Sequence, residues 1–223
     1  MLERKQTGLE GLQFGIKKDG KKYAIRDDRS RYFFPSEWMA FYSSLRKNNQ
    51  MIYESLLQTG ARINELIHLK PSDIDFDRFT ITLRVTKKKH AFNEKIGKKR
   101  TFVVSPQFAK KMKKYIQDNK IEPDKYIFHG KKTEKPITAA GVQTLMRDAL
   151  IRAKIKDYYN FSLHNIRKTT GNWLKALGVN SDEICLRLGH DHNTYLKHYG
   201  SATIFDRTDR IEMIKILGNM YGF

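Results

Sequence analysis

Cysteine is nearly missing from this sequence. Cys185 stands alone, so no internal disulfide can form, and a reducing, intracellular setting is expected. Its neighbours Ile184 and Leu186 mark it as a small buried hydrophobe rather than a reactive thiol. Long apolar runs are missing as well: none approaches the roughly 20 residues that a bilayer-spanning helix needs. The polar opening Met1-Leu2-Glu3-Arg4-Lys5 carries no sign of a signal peptide. No internal repeat or low-complexity tract interrupts the chain.

Negative charge is also scarce. Asp and Glu total 24 against 43 Lys and Arg, a formal charge of +19. Such an excess says nothing about fold, but it suits a polyanionic partner, and nucleic acid ranks above membrane. The bland alternative is a ribosome-associated or merely basic protein. A chain of 223 residues has room for one substantial core, or a main domain with a small appendage.

Residues 1–34 are polar. Within them Phe14 to Ile25 reads either as a small hairpin turning at Asp19-Gly20 or as a basic arm. The main domain is expected to begin at Pro35-Ser36-Glu37-Trp38, a good helix start, with Trp38, Phe41, Tyr42 and Leu45 on one face. A second helix runs to about Thr59, where Gly60 breaks it. A third is predicted from Arg62 to about Leu69, stopped before Pro71. Phe79 to Val85 and Arg100 to Val104 alternate and are rich in β-branched residues, so they read as two strands joined by a Lys-rich connection. Beyond Pro106 the pattern is helical at roughly 106–119, 138–154, 164–177, 182–188 and 206–218. Helices, a small antiparallel sheet and further helices make an α+β, mainly α, fold and exclude a parallel doubly wound sheet.

The chemistry-bearing residues fall in three blocks. Arg62 follows the Gly60 turn, and its guanidinium is suited to binding two oxygens of one phosphate. Glu65, three residues on, is placed to hold it; the plain alternative is a surface helix pair worth a few tenths of a kcal/mol. His164 and Arg167 lie three apart on one predicted helix, so both should point the same way from the edge of its core stripe. Their plain reading is a helix cap and a solvated charge. Leu188-Gly189-His190 ends a short helix, and Tyr195 and Tyr199 follow it. A phenol with its ordinary pKa near 10 needs nearby cations or a base to act as a nucleophile, and most tyrosines are core residues. Together the blocks supply what metal-free attack on a phosphodiester needs: fixed cations, imidazoles and a phenolic nucleophile.

These blocks, Thr59-Gly60-Ala61-Arg62-Ile63-Asn64-Glu65-Leu66, His164-Asn165-Ile166-Arg167-Lys168-Thr169, and Leu188-Gly189-His190 followed by Tyr199, resemble the catalytic domain of the tyrosine recombinases, the phage-integrase family. The similarity spans residues 35–205, and Asp28-Arg29-Ser30-Arg31-Tyr32-Phe33-Phe34-Pro35 is similar to compact integrase-like members from archaea and their mobile elements. The resemblance implies a site-specific recombinase working on DNA in the cytoplasm, on the nucleoid, with neither metal nor ATP. It implies that Arg62 and Arg167 clamp the scissile phosphate, that His164 assists proton transfer, and that His190 bonds a non-bridging oxygen. Tyr199 would attack phosphorus to give a 3′-phosphotyrosyl link.

The family also uses a lysine from the hairpin turn as general acid. Lys87, Lys88, Lys89, Lys95, Lys98 and Lys99 all compete for that role; Lys87 is chosen because it directly follows the strand. The family's N-terminal core-binding domain is another matter, since residues 1–34 are too short for it, so the chain is either a minimal member or a fragment. Lys88, Lys89, Lys110, Lys111, Lys114, Lys131 and Lys132 are expected to meet backbone phosphates, or else to form solvated faces. Residues 206–223 carry an apolar pattern that packs on its own domain or docks on a neighbouring subunit, and double-stranded DNA is expected to assemble a homo-oligomer, a dimer or tetramer. The rival readings are a type IB topoisomerase, a catalytically silent DNA-binding module, and a nuclease with His190, His192 and His198 as metal ligands. The last lacks an acidic cluster, and its spacing is poor for zinc.

Overall fold

Two short strands, β1 (Phe14–Ile16) and β2 (Lys22–Ala24), pair antiparallel, with Gly20 between them at φ 77°. The structure, a computed structural model, describes residues 14–16, 20, 22–24, 31–84, 99–130, 134–193, 195, 204–218 and 220–221. Helix α1 (Pro35–Ser43) starts on its proline, whose fixed φ and missing N–H suit a first helical position. Helix α2 (Lys47–Thr59) stops at Gly60 in the left-handed region, φ 59°. A Cβ at Gly60 would stand 2.5 Å from Leu188 Cδ2, so both the backbone angle and the close approach require glycine.

The third helix is shorter than its apolar pattern suggests. Helix α3 covers only Ile63–Leu66, with Arg62 extended as its N-cap. Pro71 pushes Lys70 to extended angles, φ −117° and ψ 156°, as residues before proline prefer. The Leu69 carbonyl meanwhile accepts from Ile127 N at 2.9 Å, so tertiary pairing replaces helical bonding there.

The sheet has three strands, β3 (Ile74–Asp75), β4 (Thr80–Arg84) and β5 (Lys99–Val103), all antiparallel in that order. Ile81 lies opposite Phe102, and Leu83 opposite Arg100. Helices α4 (Pro106–Asp118), α5 (Ala139–Arg152), α6 (Leu163–Ala176), α7 (Ser181–Leu188) and α8 (Arg207–Leu217) complete the body.

Helix α2 is the centre of the core, buried from Met51 to Thr59 and packed against α3, α4 and α6. Its C-terminal carbonyls would be orphaned by helix geometry, and side chains from two other helices take them. Leu57 O accepts from Thr170 Oγ1 at 2.8 Å, Gln58 O from Arg187 Nη1 at 2.8 Å, and Gly60 O from Arg167 Nη1 at 2.6 Å.

The packed body reaches further toward the N-terminus than Pro35. Phe33 is fully buried, its N–H donates to Thr169 Oγ1 at 2.9 Å, and its carbonyl accepts from Trp173 Nε1 at 2.9 Å. At the other end, α8 packs on α1 and α6 with Met213 and Leu217 buried. Arg187, fully buried, donates to Tyr221 Oη at 2.9 Å, and Tyr221 donates to Glu183 at 3.0 Å. Burial pushes the Tyr221 phenol up to about 12, with Arg187 opposing it. No helix among the described residues is long and apolar enough to cross a membrane.

Candidate active site

Arg167 ties the three sequence blocks into one place. Its side chain is turned into the core, 1% exposed, not set at the edge of the α6 stripe as its spacing suggests. Nη1 donates to the Gly60 carbonyl at 2.6 Å and Nη2 to the Leu188 carbonyl. Those two carbonyls close α2 and α7, and helix C-termini carry the negative end of the peptide dipoles. A buried guanidinium is stabilised there by two partial negative charges and by direct hydrogen bonds. One side chain thus fixes the turn that leads into Arg62 and the turn that leads into His190. His164, one helical turn earlier, stays exposed; the two do not point the same way because the helix ends draw Arg167 inward.

Beside the turns that Arg167 anchors opens a cleft of about 700 Å³, lined by Arg62, Lys99, Arg100, Gly189, His190 and His192 among others; the Arg167 side chain itself does not line it. Arg62 presents a side chain 27% exposed. Gly189 caps α7 at φ 59°, a left-handed turn that brings His190 to the rim. His164 does not line the cleft, and neither do Lys110, Lys111 and Lys114 on α4. Those three lysines are exposed; Lys111 pairs with Glu54 at 2.7 Å and Lys114 with Asp118 at 3.0 Å.

Glu65 lies under the cleft and is 3% exposed. Its Oε1 accepts from Arg62 Nη1 and from Arg100 Nη1, each at 3.0 Å. Its Oε2 accepts from the Arg62 backbone N–H at 2.9 Å and from Arg100 Nη2. Four donors therefore saturate one carboxylate. Burial alone would lift this carboxyl, but the hydrogen bonds and charge of Arg100, then those of Arg62, hold it below its ordinary range. Because the folded value is depressed, the stabilisation is present above the unfolded pKa and is lost as pH falls through the folded one. We expect Glu65→Gln to be less stable than wild type at neutral pH, and the gap to shrink as pH falls below the unperturbed value of 4.5. Urea unfolding of both proteins between pH 3 and 7 (about the range where carboxylates titrate) checks this; a constant gap would contradict it.

Beside the cleft, His192 Nε2 stands 3.3 Å from Asp182 Oδ1, and Cys185 Sγ lies 3.9 Å from His192 Nδ1. Cys185 is half-buried and borders the cleft, not a core residue as its apolar neighbours suggest, because Leu186 beside it is exposed; burial, then Asp182 and Asp191, push its thiol up. Among the described residues no group of three or more His, Cys, Asp or Glu is placed to hold a metal ion. Tyr199, His198, Lys87, Lys88, Lys89, Lys95, Lys98, Lys131 and Lys132 lie outside the described residues. Of the six hairpin lysines, Lys99 is the one described, and it borders the cleft. Arg100 carries no motif. Only its alternation with Phe102 on β5, which turns both toward the core, was there to be noticed.

Helices around a three-stranded antiparallel sheet are the arrangement of tyrosine-recombinase catalytic domains. The sequence matches the phage integrase family over residues 36–203, and the chain belongs to that family. A probable integrase/recombinase protein of Methanocaldococcus jannaschii is 27% identical over 180 residues, covering 78% of this chain and 51% of that protein. The tyrosine recombinase XerA of Pyrococcus furiosus is 23% identical over 176 residues, covering 78% of this chain and 57% of that protein. The chain spans about half the length of these relatives. Among solved structures, an XerA recombinase matches with a TM-score of 0.65 at 20% identity, over 85% of this chain and 65% of that one. The Tn1549 transposon integrase, in complex with circular intermediate DNA, matches with a TM-score of 0.63 at 18% identity, over 84% and 66%.

Proposed function

We propose that this chain is the catalytic domain of a site-specific DNA recombinase or integrase that cuts and rejoins duplex DNA through a 3′-phosphotyrosine. The observation that supports it most is the double attachment of Arg167 to the Gly60 and Leu188 carbonyls, which gathers Arg62 and His190 at one cationic cleft. In this reading the oxygen of Tyr199 bonds to phosphorus while the bond from phosphorus to the 5′-oxygen breaks. Arg62 and Arg167 supply the charge that stabilises the five-coordinate transition state. His164 handles the tyrosine proton, His190 bonds a non-bridging oxygen, and Lys87 protonates the departing 5′-oxygen. The new phosphodiester keeps the energy of the old one, so rejoining requires no ATP, and the arginines take the electrostatic role a metal would otherwise have. Lys88, Lys89, Lys110, Lys111, Lys114, Lys131 and Lys132 meet backbone phosphates, giving steeply salt-dependent affinity. Double-stranded DNA assembles the active dimer or tetramer.

The test uses nicked duplexes drawn from a randomised pool, incubated with the protein in EDTA and resolved on a denaturing gel. A covalent protein–DNA adduct is the expected result. No adduct with any duplex would sink the reading, and an adduct that needs divalent metal would replace its mechanism.

A further inference from the structure

Arg100 enters the cleft from the sheet, outside all three motif blocks. It faces inward with Phe102 on β5, and its side chain is 9% exposed. Both its terminal nitrogens bond Glu65, one to each carboxylate oxygen, while Arg62 gives the same carboxylate a single guanidinium N–H. Gly189 belongs to this arrangement. A Cβ there would stand 3.2 Å from Arg100 Nη1, tighter than ordinary contact, so Arg100 passes directly beside the turn that carries His190.

A carboxylate this deeply buried requires a counter-charge. If Arg62 were its only partner, the strongest geometry open to the pair would be the two-pronged fork. Arg62 would then be neutralised and drawn down from the cleft. Arg100 occupies the fork instead. The trio of two guanidiniums and one carboxylate retains a net positive charge, and Arg62 keeps its exposed position on the cleft wall.

We propose that Arg100 is a positioning residue for phosphoryl transfer, which neutralises Glu65 so that the charge of Arg62 stays available to a phosphate. This rests on reading the cleft as the DNA-cleaving site. The proposal gives the two residues opposite and mutually compensating effects. In Arg100→Gln, Glu65 captures Arg62; in Glu65→Gln, two buried-side cations repel. With both changes no net charge is left beneath Arg62, and the amide oxygen introduced by Glu65→Gln can still accept its guanidinium.

The experiment measures the first-order rate of adduct formation at saturating duplex, using a duplex captured in the assay above, together with duplex affinity and thermal stability. Arg100→Gln should slow the reaction about 100-fold with duplex affinity within about threefold of wild type, since one phosphate contact among many is affected. The double variant should recover to within about tenfold of wild type, faster than either single variant, as coupled neighbours allow. Arg100→Lys keeps the charge without the fork and should fall between Arg100→Gln and wild type, which keeps the test open if Arg100→Gln folds poorly. A double variant no faster than Arg100→Gln would overturn the proposal, whether because Arg100 holds the phosphate itself or because its role is only structural. A second arm needs no cleavage: inorganic phosphate titrated against the arginine side-chain NMR signals. Its affinity should drop in Arg100→Gln and return in the double variant, and unchanged affinity would overturn the proposal. If wild type forms no adduct while this arm behaves as expected, the recombinase reading fails with its phosphoryl-transfer role for Arg100, and what stands is that Arg100 keeps the charge of Arg62 available to a phosphate.

Discussion

Tyr199→Phe is expected to form no covalent adduct with DNA, and Tyr195→Phe to form it at close to the wild-type rate. In the proposed mechanism, removing the phenolic oxygen removes the attacking atom itself, so the loss should reach about 10⁴-fold or more, as when a nucleophile is deleted elsewhere. Tyr195 is the other candidate nucleophile beside Tyr199, and its surroundings are wrong for attack. It is 4% exposed, closed off from the DNA phosphate it would have to attack. Burial, and then Cys185, raise its phenol above the ordinary value of 10.0, which lowers the phenolate fraction at neutral pH. Denaturing gels of both variants, with the nicked duplexes described above, decide the matter. An adduct in Tyr199→Phe that disappears in Tyr195→Phe would exchange the two roles.

Arg167→Leu should lose stability and activity together. Leucine fills part of the space, but the Gly60 and Leu188 carbonyls lose their donors inside the core. Each buried orphan costs about 1–3 kcal/mol, so a loss of about 2–6 kcal/mol is expected, or about 4–24 °C in melting temperature for a domain of this size. The turns carrying Arg62 and His190 would also lose their common anchor, and adduct formation should fall at least about 1,000-fold. Arg167→Lys keeps a cation but cannot span both carbonyls; it should regain part of the stability and little of the rate. Calorimetry alongside the adduct assay separates these outcomes. A fully stable Arg167→Leu would contradict the anchoring role.

Much of this was legible because proline and glycine punctuate the chain. Pro35, Gly60, Pro71 and Pro106 delimit elements through fixed backbone preferences, and the alternation of Thr80 to Arg84 marks a strand without tertiary information. The two-residue strand Ile74–Asp75 is too short to alternate, and apolar spacing overstates α3 because it continues where the backbone finds a distant partner instead. At the site, the Arg62 and Glu65 pairing is local and could be foreseen. The inward course of Arg167, Arg187 and Arg100 could not. Pattern reading assigns arginine to the surface, whereas these three are held inside by carbonyls and a carboxylate that other segments supply.

The end of α2 has a consequence for when the cleft comes into being during folding. Arg167 and Gly60 are 107 residues apart in sequence, and Thr170 and Leu57 113 apart. Contacts over such distances form after local helices and hairpins. A chain still folding thus carries the residues of the blocks without the clamp that gathers them, and the cleft forms only with the finished core.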